Sequence, residues 1–202
     1  MKNRFALTTS LIVLTFCSLV ALNSNAKEQS AIFAGGCFWC TESDFEKLDG
    51  VVSATSGYTG GHLQNPTYKQ VSAGDSGHVE AVEVIFDDSA ISYAELVEYF
   101  WKTIDPSDGG GQFCDRGQQY RSEIFYQTGE QKKIAEDSKQ ALEASGALKV
   151  PVATAITPAM TFYKAEDYHQ DYHLKNPVRY NYYRWGCGRD KRLNVIWGGT
   201  EK

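Results

Sequence analysis

The residues best equipped for chemistry in this chain are a cysteine and a carboxylic acid set among aromatic side chains. Cys37 lies in Ala34-Gly35-Gly36-Cys37-Phe38-Trp39-Cys40, after the apolar run Ala31–Ala34 and before a helical pattern carried by Phe38, Glu42, Phe45 and Leu48. A strand, a glycine turn and a helix start place its sulfur at a helix N-terminus. Free amides and the positive end of the helix dipole would stabilise a thiolate there. Gly35 and Gly36 permit close approach of another molecule, and Phe38 and Trp39 supply apolar surface beside the sulfur. Together these features point to a reactive thiol rather than a small core cysteine. The acid is Glu80. Between Val79 and Phe86 the side chains alternate as in a strand, with Glu80, Val82, Val84 and Phe86 on one face and Val79, Ala81, Glu83 and Ile85 on the other. A carboxyl that shares an apolar face loses water, and its pKa rises until it can carry a proton near neutral pH.

Further candidates are spread along the chain. Ser107 to Tyr120 is a glycine-rich loop holding Cys114, Asp115 and Tyr120; it lacks the lysine and following Ser/Thr of a phosphate loop, which argues against nucleotide binding. His169 and His173 have the i, i+4 spacing of metal ligands. No Glu lies between them and tyrosines surround them, so they are read as packing residues and no metal is expected. Cys187 sits between Gly186 and Gly188, the setting a second, resolving thiol would need.

The elements that must position these groups alternate between strand and helix. Strands are predicted near 31–34, 51–58, 79–86, 122–127 and 152–156. Helices are predicted near 38–48, from Tyr93 after the Ser92/Glu95 capping box up to Pro106, and from Gly129 to Ser145 with Ile134, Ala141 and Leu142 inward. His62 to Gly77, with Asn65-Pro66-Thr67-Tyr68, reads as a surface excursion. Six tyrosines between Tyr163 and Tyr183 are expected to pack the tail across the domain.

Residues 1–26 stand apart. Lys2 and Arg4 precede an apolar segment from Phe5 to Leu22 and then Ser24-Asn25-Ala26, the pattern of a secretory signal with a small-x-small cleavage site. A single domain is expected over 27–202, since 42% hydrophobic content suffices for one core. Localisation is expected to be exported, in the periplasm. With 20 basic against 25 acidic residues, the chain is a poor partner for nucleic acid. Beyond the leader's Cys17, four cysteines remain, and an oxidising compartment would permit any of three full pairings among them.

Five motifs follow one another in an order that resembles the type A peptide methionine sulfoxide reductases. They are Gly36-Cys37-Phe38-Trp39, Gly57-Tyr58-Thr59-Gly60-Gly61, Asn65-Pro66-Thr67-Tyr68, Gly77-His78-Val79-Glu80 and Gln119-Tyr120-Arg121-Ser122. The resemblance implies an α+β, two-layer sandwich with a ferredoxin-like core and a long irregular C-terminal tail. It implies reduction of the S epimer of methionine sulfoxide, free or in oxidised proteins. Carried over, Cys37 is the nucleophile and Glu80 the acid that protonates the sulfoxide oxygen. Tyr68 and Tyr120 are the hydroxyls that hold that oxygen, and Asp115 works through water or by fixing its neighbours. Phe38 and Trp39 form the methyl pocket. The resulting Cys37 sulfenic acid is resolved by another thiol, and the disulfide is reduced by an external thioredoxin-like dithiol. No bound cofactor is implied, and a monomer is expected.

This chain departs from that pattern at two thiols. Most relatives have glycine where Cys40 stands, and usually a residue other than cysteine where Cys114 stands. Cys187 fits the family's C-terminal resolving thiol. Cys40 offers direct closure in a C-x-x-C with Cys37, and Cys40 with Cys114 could instead form a structural disulfide. Two other classes remain open on the residues alone: a thioredoxin-like oxidoreductase resting on Cys37-x-x-Cys40, and an exported module whose cysteines are staples or a zinc site.

Overall fold

The chain is laid down strand–helix–strand–strand–helix–strand before anything is added to it. The computed structural model describes residues 27–198, so the leader read at 1–26 lies outside the described residues. β1 (Glu28–Gly35) leads into α1 (Phe38–Phe45), β2 (Val51–Thr59), the short α2 (Tyr68–Ser72), β3 (Val79–Asp87) and α3 (Tyr93–Thr103). A hairpin of β4 (Gly111–Gln112) and β5 (Asp115–Arg116) and a 3₁₀ turn at Gln118–Tyr120 precede β6 (Ser122–Tyr126). Then come α4 (Gly129–Ala144), β7 (Ala155–Pro158), β8 (Tyr163–Lys164), α5 (Tyr172–Lys175), α6 (Pro177–Gly186) and α7 (Arg189–Trp197).

The sheet runs β7-β6-β1-β3-β2-β8. Its inner four strands, β6-β1-β3-β2, pair antiparallel, with α1 and α3 as the crossovers of the ferredoxin-like arrangement. β7 adds parallel to β6, and β8 antiparallel to β2. Alternation along β1 and β3 divides the interior. Phe33, Val82, Val84 and Phe86 face the helical layer, where Phe45, Leu96, Val97, Phe100 and Ala135 meet them. Ile32, Ala34, Val79 and Ala81 face the other way, under Ala159 and Phe162. Phe33 is the centre of the larger cluster, with ring centroids 4.8 Å from Phe45 and 5.0 Å from Phe100. The Ser92/Glu95 capping box starts α3 as its sequence predicts.

The structure departs from the sequence-based expectation in four places. The inward stripe of α4 is Gln131, Ile134, Ala135 and Leu142, while Ala141 is exposed. Gln131 turns inward because its amide donates to the Ser30 carbonyl (2.8 Å) while its Oε1 accepts the Gln127 amide (2.8 Å). The predicted strand at 152–156 begins later, because the Ala153 amide is taken by the Pro106 carbonyl (2.8 Å) before sheet pairing starts at Ala155. The 62–77 excursion contains α2. The tail is helical rather than irregular: Pro177 opens α6, and Arg189 opens α7 with its own side chain buried. Among the described residues no helix is long and apolar enough to cross a membrane.

Because Phe33 sits at the contact between sheet and helices, Phe33→Ala should lower unfolding free energy by about 3–5 kcal/mol. Val52, 55% exposed on β2, should tolerate Ala within about 0.5 kcal/mol. Urea denaturation midpoints check both; equal shifts would mean the core lies elsewhere.

Candidate active site

Gly35 and Gly36 let β1 end and α1 begin within two residues, with Gly36 at φ +82°. The space they leave is filled by this chain rather than by a second molecule. A Cβ on Gly36 would meet Gln112 Cβ at 2.6 Å, and one on Gly35 would meet Thr41 Oγ1 at 2.8 Å. The turn sets Cys37 at the N-cap of α1 and points the Phe38 amide at β3, where it donates to Glu80 Oε2 (3.0 Å). Glu80, on the helical face as parity predicts, is 2% exposed. Burial pushes its carboxyl up to about 8, and the Phe38 bond opposes that shift. At neutral pH this acid therefore carries its proton.

Around these two groups closes a cavity of about 70 Å³ lined by Cys37, Phe38, Trp39, Tyr68, Glu80, Asp115, Tyr120 and Tyr183. Each predicted site residue except Cys187 is among them. Tyr68 opens α2, its amide held by Glu166 Oε1 (2.9 Å); Glu166 also accepts from the Tyr58 hydroxyl (2.8 Å). Tyr120 comes from the 3₁₀ turn before β6. Burial raises both phenols, Tyr68 to about 12, so both remain donors at physiological pH. Asp115 accepts from the Tyr183 hydroxyl, and burial raises its carboxyl while that bond and Arg189 hold it down. Trp39 is clamped from the tail: its indole donates to His169 Nδ1 (3.0 Å) and its ring stacks on Tyr172, centroids 3.7 Å apart.

Two readings of the sequence are corrected here, and burial opposes a third, the thiolate at Cys37. Burial, the Cys40 contact and the nearby Glu80 and Asp115 carboxyls push its thiol well above its ordinary value. Its neighbour Cys40 is lowered to about 7, by its interaction with Cys37 and, against burial, by the Arg189 and Arg184 charges. The first amide of α1, moreover, is already spent on Glu80. A Cys40–Cys114 disulfide is also not formed. Cys114, exposed beyond β4, is bonded to Cys187, Cα atoms 4.9 Å apart, while Cys37 and Cys40 are buried free thiols. That division likewise excludes a zinc site built from all four cysteines. His169 and His173 serve separate partners, since His173 Nε2 faces Glu46 Oε2 at 3.3 Å.

Cys187 lies just outside the cavity, its sulfur 3.8 Å from Asp115 Oδ2 and accepting the Cys114 amide (3.2 Å). Tyr183, counted in the sequence only as packing, is the group whose site role was missed. Its position on α6 one turn before Cys187 was the available signal. Glu42 and Asp44 lie on α1. They are buried and fasten the tail: Glu42 Oε1 accepts the Asp171 amide (2.6 Å), and Asp44 Oδ1 binds Arg184 Nη1 (2.9 Å).

Compared with known proteins, residues 29–201 match the family described as peptide methionine sulfoxide reductase. The peptide methionine sulfoxide reductase MsrA of Bacillus licheniformis is 51% identical over 172 residues, covering 85% of this chain and 95% of that one. The crystal structure of Mxr1 from Saccharomyces cerevisiae in reduced form superposes with a TM-score of 0.70 at 34% identity, over 76% of this chain and 88% of that chain. The same yeast protein in complex with Trx2 superposes at 0.52 with 25% identity, over 73% and 86%.

The raised Glu80 pKa has a thermodynamic signature. Between about pH 4.5 and 8 the unfolded chain releases this proton and the folded chain keeps it, so Glu80 subtracts stability as pH rises through that window. Glu80→Gln removes the effect. The stability of the variant minus that of the parent should therefore climb from pH 5 to pH 8, followed by chemical denaturation at each pH. A flat difference would mean the carboxyl is solvated.

Proposed function

The chain belongs to the peptide methionine sulfoxide reductase family, and we propose that this cavity holds the S epimer of methionine sulfoxide, with Cys37 as nucleophile and Glu80 as acid. The family's activity is thiol-dependent reduction of methionine sulfoxide to methionine, and this chain is an enzyme of that kind. The observation that carries the residue assignment is a buried, protonated carboxyl and a cysteine thiol in one small cavity with the phenols of Tyr68, Tyr120 and Tyr183. A sulfoxide oxygen is a poor leaving group until it is protonated. Glu80 supplies that proton while Tyr68 and Tyr120 donate to the oxygen and localise it. Phe38 and Trp39 give the substrate methyl an apolar wall, which disfavours bulkier groups on sulfur. Cys37 Sγ attacks the sulfoxide sulfur, methionine departs with the electron pair, and the oxygen remains on Cys37 as a sulfenic acid.

The resolving step is assigned to Cys187. Its thiol condenses with the sulfenic acid, releasing water and forming a Cys37–Cys187 disulfide. Cys114 then displaces Cys37 from Cys187, which regenerates the nucleophile and leaves the Cys114–Cys187 pair toward solvent. Gly186 and Gly188 on either side of Cys187 meet no other atoms within 4 Å at their would-be Cβ positions, which supports a resolving thiol at this place. An external dithiol of the thioredoxin class is the reductant; the yeast relative's structure with Trx2 supports that choice. Oxidised proteins and free methionine sulfoxide are both substrates. The leader pattern at 1–26 supports export to the periplasm, and a single chain supplies the whole cavity, in keeping with a monomer.

Methionine released per reduced chain, with no reductant added, tests the nucleophile and its resolver. Cys37→Ser should release none, whereas Cys187→Ser should release one equivalent and then fail to turn over with a thioredoxin-like donor. Normal cycling by the Cys187 variant would move the resolving role to another thiol. The acid has its own test: Glu80→Gln should slow the chemical step by about 100- to 10,000-fold with little change in substrate binding. Glu83, bonded to Ser30 on the opposite face (3.2 Å), should tolerate the same change. Equal losses from both would remove Glu80 from the chemistry.

A further inference from the structure

Asp115 touches both the Cys37 cavity and the outer disulfide, and the scheme above gives it no part. It opens β5 opposite Gln112 in the β4–β5 hairpin, whose turn passes through Phe113 at φ +55°. Gln112 is fully buried. Its side chain accepts the Asp105 amide (2.8 Å) and donates to the Asp105 carbonyl (2.9 Å). The same side chain fills the space left by Gly36, so the hairpin is clamped against the turn that carries Cys37. Asp115 is thereby held as one wall of the Cys37 cavity, one residue from Cys114.

Its two carboxylate oxygens divide between the outer sulfurs. Oδ1 lies 3.9 Å from Cys114 Sγ, and Oδ2 lies 3.8 Å from Cys187 Sγ. In the disulfide neither sulfur carries a proton. Once the pair is reduced, each thiol has a carboxylate oxygen beside it to receive one. Tyr183 fixes the carboxylate by donating to Oδ2 from α6. The other titratable and charged groups around it are Cys37 on α1, Tyr68 on α2, Glu80 on β3, Tyr120 before β6 and Arg189 on α7. The Arg189 guanidinium lies over the Phe113 ring, 4.6 Å from its centroid. Glu80 and the phenols of Tyr68 and Tyr120 are protonated at neutral pH, which leaves Asp115 as the carboxyl able to act as a base.

We propose that Asp115 is the proton carrier of the resolving relay: it takes the proton of Cys187 as that thiol attacks the Cys37 sulfenic acid, and the proton of Cys114 in the exchange that follows. This rests on the assignment of Cys37 as nucleophile and Cys187 as resolver. Both steps balance. In the first, the Cys187 proton passes to Asp115, the Cys187 electron pair forms the bond to Cys37 Sγ, and the sulfur–oxygen bond breaks. Asp115 returns its proton to the departing hydroxide, which leaves as water. In the second, the Cys114 proton passes to Asp115 and the Cys114 electron pair forms the bond to Cys187 Sγ. The Cys37–Cys187 bond breaks with its pair on Cys37 Sγ, which takes the proton back. The carboxylate ends each step as it began, and no reductant is consumed. The thiolate is the attacking form of a cysteine, and an ordinary thiol ionises only near pH 8.5, so a base in contact with each thiol speeds both steps at neutral pH.

The test is the lifetime of the Cys37 sulfenic acid, read by mass after trapping with dimedone. The reduced chain is given one equivalent of methionine sulfoxide or, separately, one equivalent of hydrogen peroxide. Peroxide makes the same sulfenic acid without the Glu80 step, so a slower first step in a variant does not hide the second. In the parent the decay should be short and nearly flat between about pH 6.5 and 8. Asp115→Asn should lengthen the lifetime by about 100-fold near neutral pH. Its decay should then quicken about tenfold per pH unit up to the ordinary thiol range, where Cys187 ionises unaided. Asp115→Glu, which keeps the base, should restore the flat profile. A parent-like lifetime in the Asn variant by both routes would overturn the proposal. So would a slower decay with no steeper pH dependence, the mark of a merely structural role. A parent chain that releases no methionine from the sulfoxide would instead overturn the proposed function itself.

Discussion

The hydrogen bond from the Phe38 amide to Glu80 is the constraint from which the site is built. It joins the first turn of α1 to the start of β3, two elements that the chain separates by 42 residues. By taking the first free amide of the helix, it satisfies a donor that would otherwise be buried unpaired. It also fixes Glu80 beside Cys37 without ionising it. One backbone donor is too weak to offset the loss of water around a carboxyl that is almost fully buried, so the acid stays protonated. Register across β2 and β3, which pairs Tyr58 with Glu80, then places Tyr58 to reach Glu166, and Glu166 in turn holds the start of α2 and Tyr68.

The C-terminal third acts as the electrostatic lid of this arrangement. Gln170 bonds the amide (3.0 Å) and carbonyl (2.9 Å) of Ser56 on β2, and Asp171, at φ +51°, turns the chain so that its amide reaches Glu42. Trp39 is thereby sandwiched against Tyr172, and the guanidiniums of Arg184 and Arg189 enter from α6 and α7. There Arg184 binds Asp44 of α1, and Arg189 donates to the carbonyls of Gly35 and Thr103. The outer disulfide lies on the far side of Asp115, so the buried pair and the exposed pair are neighbours rather than one cluster.

Much of this is legible in local patterns. The period of two along Val79–Phe86 put Glu80 on the apolar face. The glycine pair before Phe38 marked the helix start, and Ser92 with Glu95 marked another. These signals are short-range because side-chain periodicity and capping depend on residues within one or two turns. The α4 stripe failed by the same logic: Ala141 satisfied the period, yet Gln131 took the inward place because its amide found Ser30 and its carbonyl found Gln127, bonds that no hydropathy pattern encodes.

The sequence by itself determined the motif order, the family, the ferredoxin-like order of elements and the residue types of the cavity, because each is a property of neighbours along the chain. Only the tertiary structure decided that Cys114 meets Cys187, that Tyr183 holds Asp115 and that Glu42 and Asp44 fasten the tail. Those pairings join positions 68 to 140 residues apart. Their physical cause is burial: once α1 and the tail exclude water, each charged or polar group must find its partner across the fold.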